Sequence, residues 1–137
     1  YLKLSENIEF LGYQSDIEKH FNKAKLSIVT SERETGPLTA IESMMCGVPV
    51  VSSRCGDTVN DLIRDGIDGY LIDSYGDYSA FAEKIAHLLA DDALLLAFSQ
   101  NAMNSPNIIG IDSLVNLWEA LIDATNVKDF EKSPLQR

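Results

Sequence analysis

The chain has 137 residues, of which 45% are hydrophobic and 23% are charged, a composition typical of one globular domain and not of a disordered chain. Its formal net charge of -10 argues against binding to the phosphate backbone of a nucleic acid, because the 11 basic residues are scattered among 21 acidic ones. Cys46 and Cys55 have no histidine nearby, so neither a metal site nor a disulfide framework is predicted. No segment has the roughly twenty apolar residues that a membrane span needs.

The predicted elements alternate between strand and helix. In chain order they are a strand at 7–12, a helix at 16–24, a strand at 26–30, a helix at 37–46, a strand at 48–51, a helix at 59–64, a strand at 70–72 and a helix at 78–90. Two further helices are predicted at 94–103 and 113–124. Trp118 has helical spacing with Leu114 and Leu121 and is predicted to be a core residue.

The strand at 48–51 is a continuous apolar run, which is typical of a strand covered on both faces of a parallel sheet. Pro49 is tolerated because it lies at the start of that strand, and Gly47 is predicted to cap the preceding helix. The fold class is therefore predicted to be α/β, an open parallel Rossmann-like sheet of about four strands with flanking helices. Ligands of such sheets bind at the carboxyl ends of the strands.

One loop at that edge carries the candidate site. It follows the strand at 26–30 and leads into the helix at 37–46, with Glu34 in the loop and Glu42 on the second helical turn. Pro37 has no N–H group, so the backbone donors available to a phosphate are predicted to be those of Thr35, Gly36 and Leu38.

Glu42 stands next to apolar residues in the sequence, including Ile41, Met44 and Met45. A carboxylate in an apolar setting needs hydrogen-bond donors, and the two hydroxyls of a ribose would supply them. The alternative is that Glu34 is a solvated loop residue and Glu42 an exposed helix residue. Spacing alone leaves both interpretations open.

A wider pattern extends over about residues 7–118 and includes two glutamates separated by seven residues. Its positions are Phe10, Leu11 and Gly12 in the first strand, Ser31, Glu34 and Glu42 in the loop and helix, Gly47, Pro49, Val50 and Val51 after it, and Asp65, Gly66, Gly69 and Leu71 in an Asp-Gly-x-x-Gly-x-Leu turn. This pattern resembles the group 1 retaining glycosyltransferases, in the C-terminal half of their GT-B fold.

The resemblance implies a donor site for a nucleoside-diphosphate sugar, with no metal or other cofactor. Glu34, as the catalytic residue, would contact the donor sugar, and Glu42 would bind the ribose hydroxyls. Thr35, Gly36 and Leu38 would hold phosphate or sugar through their amides, and Gly12 and Tyr13 would lie near the base. Such enzymes transfer a glycosyl group with retention of configuration, here to a glycan or lipid acceptor.

Two departures from the family pattern stand out. The family commonly has Gly-Phe-Gly after the first glutamate, where this chain has Thr35, Gly36 and Pro37, and Asp61 replaces a usual glutamate. No basic strand and loop for the diphosphate and no N-terminal acceptor domain are recognisable. Residues 1–125 are thus predicted to be a partial donor-binding domain, inactive alone, and residues 126–137 a polar tail.

A noncatalytic Rossmann-like binding or regulatory domain is the alternative function, since the fold alone does not separate the two. The protein is predicted to be cytoplasmic, with a peripheral membrane position as an option for the full-length enzyme. Ser52 and Ser53 follow a strand at the ligand edge and could contact the donor, but they are interpreted as ordinary solvated loop residues. Arg54 could bind an anionic group, but it is interpreted as a solvated residue.

Overall fold

The computed structural model describes Leu4 and residues 6–124, with the backbone alone for Ile111 and Ala124. The polar tail predicted at 126–137 lies outside the described residues. The chain divides into two compact units, Tyr1–Ser105 and Pro106–Arg137. No helix in the described part is long and apolar enough to cross a membrane.

The first unit alternates helices with strands. In chain order it contains α1 (Glu18–Phe21), β1 (Ser27–Val29), α2 (Leu38–Met45), β2 (Val50–Ser53), α3 (Asp57–Leu62), β3 (Gly69–Ile72), α4 (Tyr78–Leu89) and α5 (Asp92–Met103). The described part of the second unit contains α6 (Ile111–Ala124). The predicted succession of elements from the second strand onward is thus confirmed.

The strands form a parallel sheet in the order β1-β2-β3. In the register, Val50 of β2 pairs with Ser27 of β1 on one side and with Gly69 of β3 on the other. Each strand is joined to the next by a helix, as parallel neighbours require. The predicted α/β class with an open parallel sheet is confirmed, although the described residues form three strands instead of about four.

The strand predicted at 7–12 is absent from the sheet. A segment with alternating apolar side chains forms a strand only if a neighbouring strand pairs with its backbone and another element covers its apolar face. No described strand pairs with this segment. Phe10 is 94% exposed, so the apolar residues of this segment are not buried as a strand would bury them. This part of the sequence-based prediction is wrong.

Two predicted helices are shorter or shifted. The first is reduced to α1 because the chain tightens after Phe21, where the amide of Lys23 donates to the carbonyl of His20 and that of Ala24 to the carbonyl of Phe21. The third begins earlier, at Asp57, and ends at Leu62, because the Arg64 amide donates to the carboxylate of Asp68 and not to a helical carbonyl.

Helices cover both faces of the sheet. On one face Val51 packs in the core with Ile72, Phe81 of α4 and Phe98 of α5. On the other face the Ser27 hydroxyl of β1 hydrogen-bonds the Ser43 hydroxyl of α2 at 2.7 Å. Paired residues of neighbouring strands point to the same face, so Ser27 and Val50 share a face. Val51 is the next residue along β2 and points to the opposite face, so α2 and α4 lie on opposite sides of the sheet. This double covering explains the apolar run in β2.

The last two residues of β2 are polar and fully buried. The Ser52 hydroxyl donates to the Ser53 carbonyl at 2.9 Å, and the Ser53 hydroxyl donates to the Ser31 carbonyl at 2.5 Å. These bonds satisfy hydroxyls that would otherwise be costly to bury. The interpretation of Ser52 and Ser53 as solvated loop residues is therefore wrong, since both belong to β2 and are buried.

Gly47 caps the C-terminal end of α2, as predicted. The Gly47 amide donates to the Met44 carbonyl, and the Val48 amide donates to the Ser43 carbonyl, both at 2.9 Å. With a φ of 71° at Gly47, this is a Schellman motif, which glycine adopts without steric cost. The motif leads the chain from the C-terminal end of α2 directly into β2.

The second unit corrects the prediction for Trp118. This side chain is 57% exposed on α6, and Leu114 and Leu121 of the same helix face are exposed as well. The helical period of these residues is correctly predicted, but periodicity cannot show whether another element covers the apolar face. Trp118 is not a core residue of the described structure.

Candidate functional site

A groove opens at the carboxyl end of β1. It has a volume of about 340 Å³. Its walls come from the end of β1, the following loop and the first turn of α2, and its lining residues are Ile28, Val29, Thr30, Ser31, Glu34, Gly36, Pro37, Leu38, Thr39 and Ala40. The strand-to-helix turn predicted from the sequence therefore forms a concave site at the ligand edge of the sheet.

Glu34 is the acidic residue in the lining of this groove. Its side chain is half-buried, and its Oε1 atom accepts a hydrogen bond from the Ser31 hydroxyl at 2.7 Å. Its backbone amide donates to the Cys55 carbonyl at 2.8 Å. Glu34 is thus held at both its backbone and its carboxylate in the wall of the groove.

The backbone donors predicted for phosphate differ in their availability. The amides of Thr35 and Gly36 have no hydrogen-bond partner among the residues that the structure describes. The Leu38 amide, in contrast, donates to the Gly36 carbonyl at 2.8 Å in a tight turn. In this conformation Leu38 does not offer a free donor, and its prediction as a phosphate ligand requires the turn to open.

Glu42 lies outside the Glu34 groove. It is exposed and lines a second groove of about 470 Å³ between α1, α2 and α5, together with Ile17, Glu18, Phe21, Asn22, Met45, Cys46 and Met103. Met44 points into the core whereas Glu42 is exposed, but Met45 lines the same groove as Glu42, so the apolar setting of Glu42 is an open groove and not a buried one. The structure therefore does not bring the two glutamates into one cavity.

The second groove also contains a thiol. Cys46 is half-buried, and its pKa is raised above the usual value, mainly by burial and further by the carboxylates of Glu18 and Glu42. Each of these effects disfavours the thiolate. Cys46 is therefore held in its neutral form in this groove.

Gly12 and Tyr13 lie in the segment before α1 and do not line the Glu34 groove. Gly12 has a φ of 63°, a left-handed conformation that favours glycine. Tyr13 is almost fully exposed, so its ring is free to stack on a planar group. Their predicted place near a base stays a prediction.

Arg54 is exposed, as expected, and it is also paired with two carboxylates. Its Nε atom lies 2.5 Å from a carboxylate oxygen of Asp73, and its terminal nitrogen lies 3.5 Å from Asp65. The pairs are partly exposed, so they are worth little to stability. They do, however, neutralise the basic side chain that follows β2 at the ligand edge.

The turn that carries Asp65, Gly66 and Gly69 has a structural role. Asp65 accepts a hydrogen bond from the Leu71 amide at 2.9 Å, and Gly66 has a φ of 75°. A Cβ atom on Gly69 would lie 2.4 Å from the carbonyl oxygen of Val50. Only glycine thus allows β3 to start this close to β2.

Comparison with known proteins follows from this architecture. An open parallel sheet with a strand-loop-helix groove at its carboxyl edge defines an α/β domain of the ligand-binding, doubly wound class. Residues 1–105 match the family described as Glycosyl transferases group 1. The chain belongs to this family.

A curated relative is the poly(ribitol-phosphate) alpha-N-acetylglucosaminyltransferase of Staphylococcus aureus (strain COL). It is 31% identical over 124 residues, which cover 88% of this chain and 24% of the relative. In eight curated relatives that it matches, the chain spans 13% to 34% of their length. The match is therefore to one part of considerably longer proteins.

Two solved structures share the fold. TarM of S. aureus, in a complex that includes UDP, is 31% identical and superposes with a TM-score of 0.77 over 90% of this chain and 24% of that one. Anabaena Alr3699/HepE in complex with UDP is 25% identical, with a TM-score of 0.78 over 88% of this chain and 33% of that one. Both neighbours bind a nucleoside diphosphate.

Proposed function

We propose that this chain is the donor-binding part of a retaining glycosyltransferase, whose full-length form transfers a glycosyl group from a nucleoside-diphosphate sugar. The observation that carries the proposal is the groove at the carboxyl end of β1, with Glu34 in its wall, in a member of the group 1 family. Two structurally similar proteins were solved with UDP, which supports a nucleoside diphosphate as the ligand.

In this proposal the groove binds the sugar and diphosphate of the donor. The amides of Thr35 and Gly36, together with the positive end of the α2 dipole, hold the phosphate oxygens, and Glu34 accepts hydrogen bonds from the sugar hydroxyls. Stabilising the negative charge that develops on the departing diphosphate is the main contribution to catalysis. No metal ion or other cofactor is part of this scheme.

Glu42 binds the ribose in the same scheme. It lies four residues after Leu38 on α2, a rise of about 6 Å along the helix. An extended ligand can therefore reach from the Glu34 groove to Glu42, although the two glutamates line separate cavities. Because Glu42 is exposed, its carboxylate is available to both ribose hydroxyls without prior loss of a partner.

The acceptor is a glycan or lipid in this proposal, bound by an N-terminal domain of the same polypeptide. The chain's short share of its relatives' length supports the presence of such a domain in the full-length protein. The alternative, a noncatalytic binding domain, has no support from the named relative, which is a transferase.

The test uses the full-length protein and a panel of nucleoside-diphosphate sugars, with released nucleoside diphosphate as the readout. Glu34→Gln should lower kcat about a hundredfold, because an interaction with the reacting sugar is lost. Glu32→Gln is the matched control, since Glu32 is exposed in the same loop and outside the groove. Equal rates for the two variants would exclude Glu34 from catalysis.

A binding experiment separates the role of Glu42. Glu42→Ala should weaken UDP binding about tenfold, the loss expected for hydrogen bonds to a charged group. Glu83→Ala, which removes an exposed glutamate from α4, should leave the Kd unchanged. An unchanged Kd for Glu42→Ala would remove the ribose role.

NMR of the product's anomeric proton tests whether the configuration is retained, and an inverted product would contradict a retaining mechanism.

A further inference from the structure

Hydrogen bonds connect the loop that carries Glu34 to the end of the neighbouring strand. The Ser53 hydroxyl of β2 donates to the Ser31 carbonyl at 2.5 Å. Two residues later in the same segment, the Cys55 carbonyl accepts the Glu34 amide at 2.8 Å. The backbone between Ser31 and Glu34 is thus attached at both ends to the segment 53–56.

Gly56 lies against the same loop. A Cβ atom built on this residue would lie 2.4 Å from the carbonyl oxygen of Glu34. That oxygen belongs to the backbone, so it cannot move aside as the end of a flexible side chain could. The loop after β2 therefore sets how far Glu34 stands from the sheet.

Ser31 connects the backbone of this loop to the carboxylate of Glu34. Its hydroxyl donates to Oε1 of Glu34 at 2.7 Å, a charge-assisted hydrogen bond, while its own carbonyl is held by Ser53. A glutamate side chain has three rotatable bonds, and without this donor its carboxylate would sample several rotamers in an open groove. Ser31 limits the carboxylate to one of them.

We infer that Ser31 is a positioning residue of the donor site: held by the segment 53–56, it fixes the carboxylate of Glu34 toward the groove. The inference rests on the proposed function, in which Glu34 contacts the donor sugar. Ser31 itself acts through Glu34. This role was not part of the sequence-based prediction, in which Ser31 only opened a motif.

The experiment is a double-mutant cycle on kcat in the full-length protein. Ser31→Ala should lower kcat about tenfold and change the KM for the donor by less than about twofold, since orientation and not binding is lost. In a Glu34→Ala background the same substitution should change kcat by less than about twofold. Ser52→Ala, at a buried serine whose hydroxyl bonds only to Ser53, is the control and should leave kcat unchanged.

A second pair of variants separates positioning from folding. Ser31→Thr keeps the hydroxyl and should retain most of the activity. Ser31→Val introduces a side chain of nearly the same shape as threonine but without a hydroxyl, so it should lose as much activity as Ser31→Ala. Thermal melting reports on the fold of each variant. If Ser31→Val is as active as Ser31→Thr, or if Ser31→Ala has its full effect without Glu34, the inference is overturned. A Glu34→Ala variant with normal kcat would overturn the proposed function itself.

Discussion

Cys46 and Glu42 lie one helical turn apart and share the groove between α1, α2 and α5. Burial raises the pKa of the Cys46 thiol, and the carboxylates of Glu18 and Glu42 raise it further, because each disfavours a second negative charge nearby. A raised pKa means that less thiolate is present at any pH below it. The thiolate is the reactive form of cysteine.

This electrostatic coupling predicts how fast Cys46 is alkylated. Reaction with iodoacetamide at about pH 8 should be slower than that of an ordinary cysteine and should accelerate as the pH rises toward the raised pKa. Glu42→Gln removes one of the causes, so it should lower the pKa and speed the reaction at constant pH. Peptide mass spectrometry measures the rate.

The control is Glu83→Gln, at an exposed glutamate of α4, which should leave the Cys46 rate unchanged. Cys55 is buried and should react only on unfolding, so its modification reports whether each variant is folded. A Cys46 rate that is the same with and without the Glu42 carboxylate would contradict the coupling.

At single residues, sequence reasoning succeeded where position along the chain determines the environment. Glu34 follows a strand of a parallel sheet, and such loops lie at the ligand edge. For Glu42 the surroundings were predicted only in part, because Met45 lines the same groove as Glu42 whereas Met44 is buried in the core. Successive helix residues are separated by about 100°, so Met44 faces the core while Glu42 faces outward.

Among the structural elements, the turn into β3 is the most constrained. Gly66 and Gly69 are both glycines for different reasons: the first has a φ of 75° with open space around it, and the second lies against β2. An alanine substitution at each position can separate the need for a positive φ at Gly66 from the need for space at Gly69.

Gly69→Ala should destabilise the protein more than Gly66→Ala. At Gly69 the new Cβ meets the Val50 carbonyl at 2.4 Å, so β3 must move away from β2, at a cost of about 3 kcal/mol. At Gly66 the cost is that of a left-handed alanine, about 1 kcal/mol. Urea unfolding gives both values, and an equal or reversed order would show that the sheet tolerates the displacement.

Elements with their own end signals were predicted well. Asp77 accepts a hydrogen bond from the Ala80 amide at the start of α4, and Asp91 accepts from the Leu94 amide at the start of α5. These caps are local and can be read from the sequence. The strand at 7–12 had no such signal, and its formation depends on a neighbour elsewhere in the protein.

The whole molecule is acidic, with a formal charge of -10, and the Glu34 groove shares this character. No lysine or arginine is among the residues that line the Glu34 groove, and Arg54 nearby is paired with Asp73 and Asp65. The residues that line this groove therefore offer a diphosphate backbone amides but no cationic side chain, and Arg33, the residue before Glu34 in the same loop, is exposed outside the lining.

Under the proposed function, in which the full-length protein is longer than these 137 residues, donor binding should depend on its other parts. In calorimetric titration with UDP, the 137-residue chain should bind at least about tenfold more weakly than the full-length protein, because charge-assisted hydrogen bonds to the phosphates are missing. Circular dichroism of the short chain serves as the control for folding. Equal affinities would mean that the described groove is sufficient for binding.

The parallel order of the sheet also affects how the protein folds. No two of the described strands form a hairpin, and the residues paired across β1 and β2 are separated by the whole of α2. The entropy of closing such long loops must be lost before strand pairing repays it, so we expect the pairing of β1 with β2 to require nonlocal contacts. The contact between Ser53 and Ser31 spans the same loop. We therefore expect the Glu34 groove to form together with the sheet and not before it.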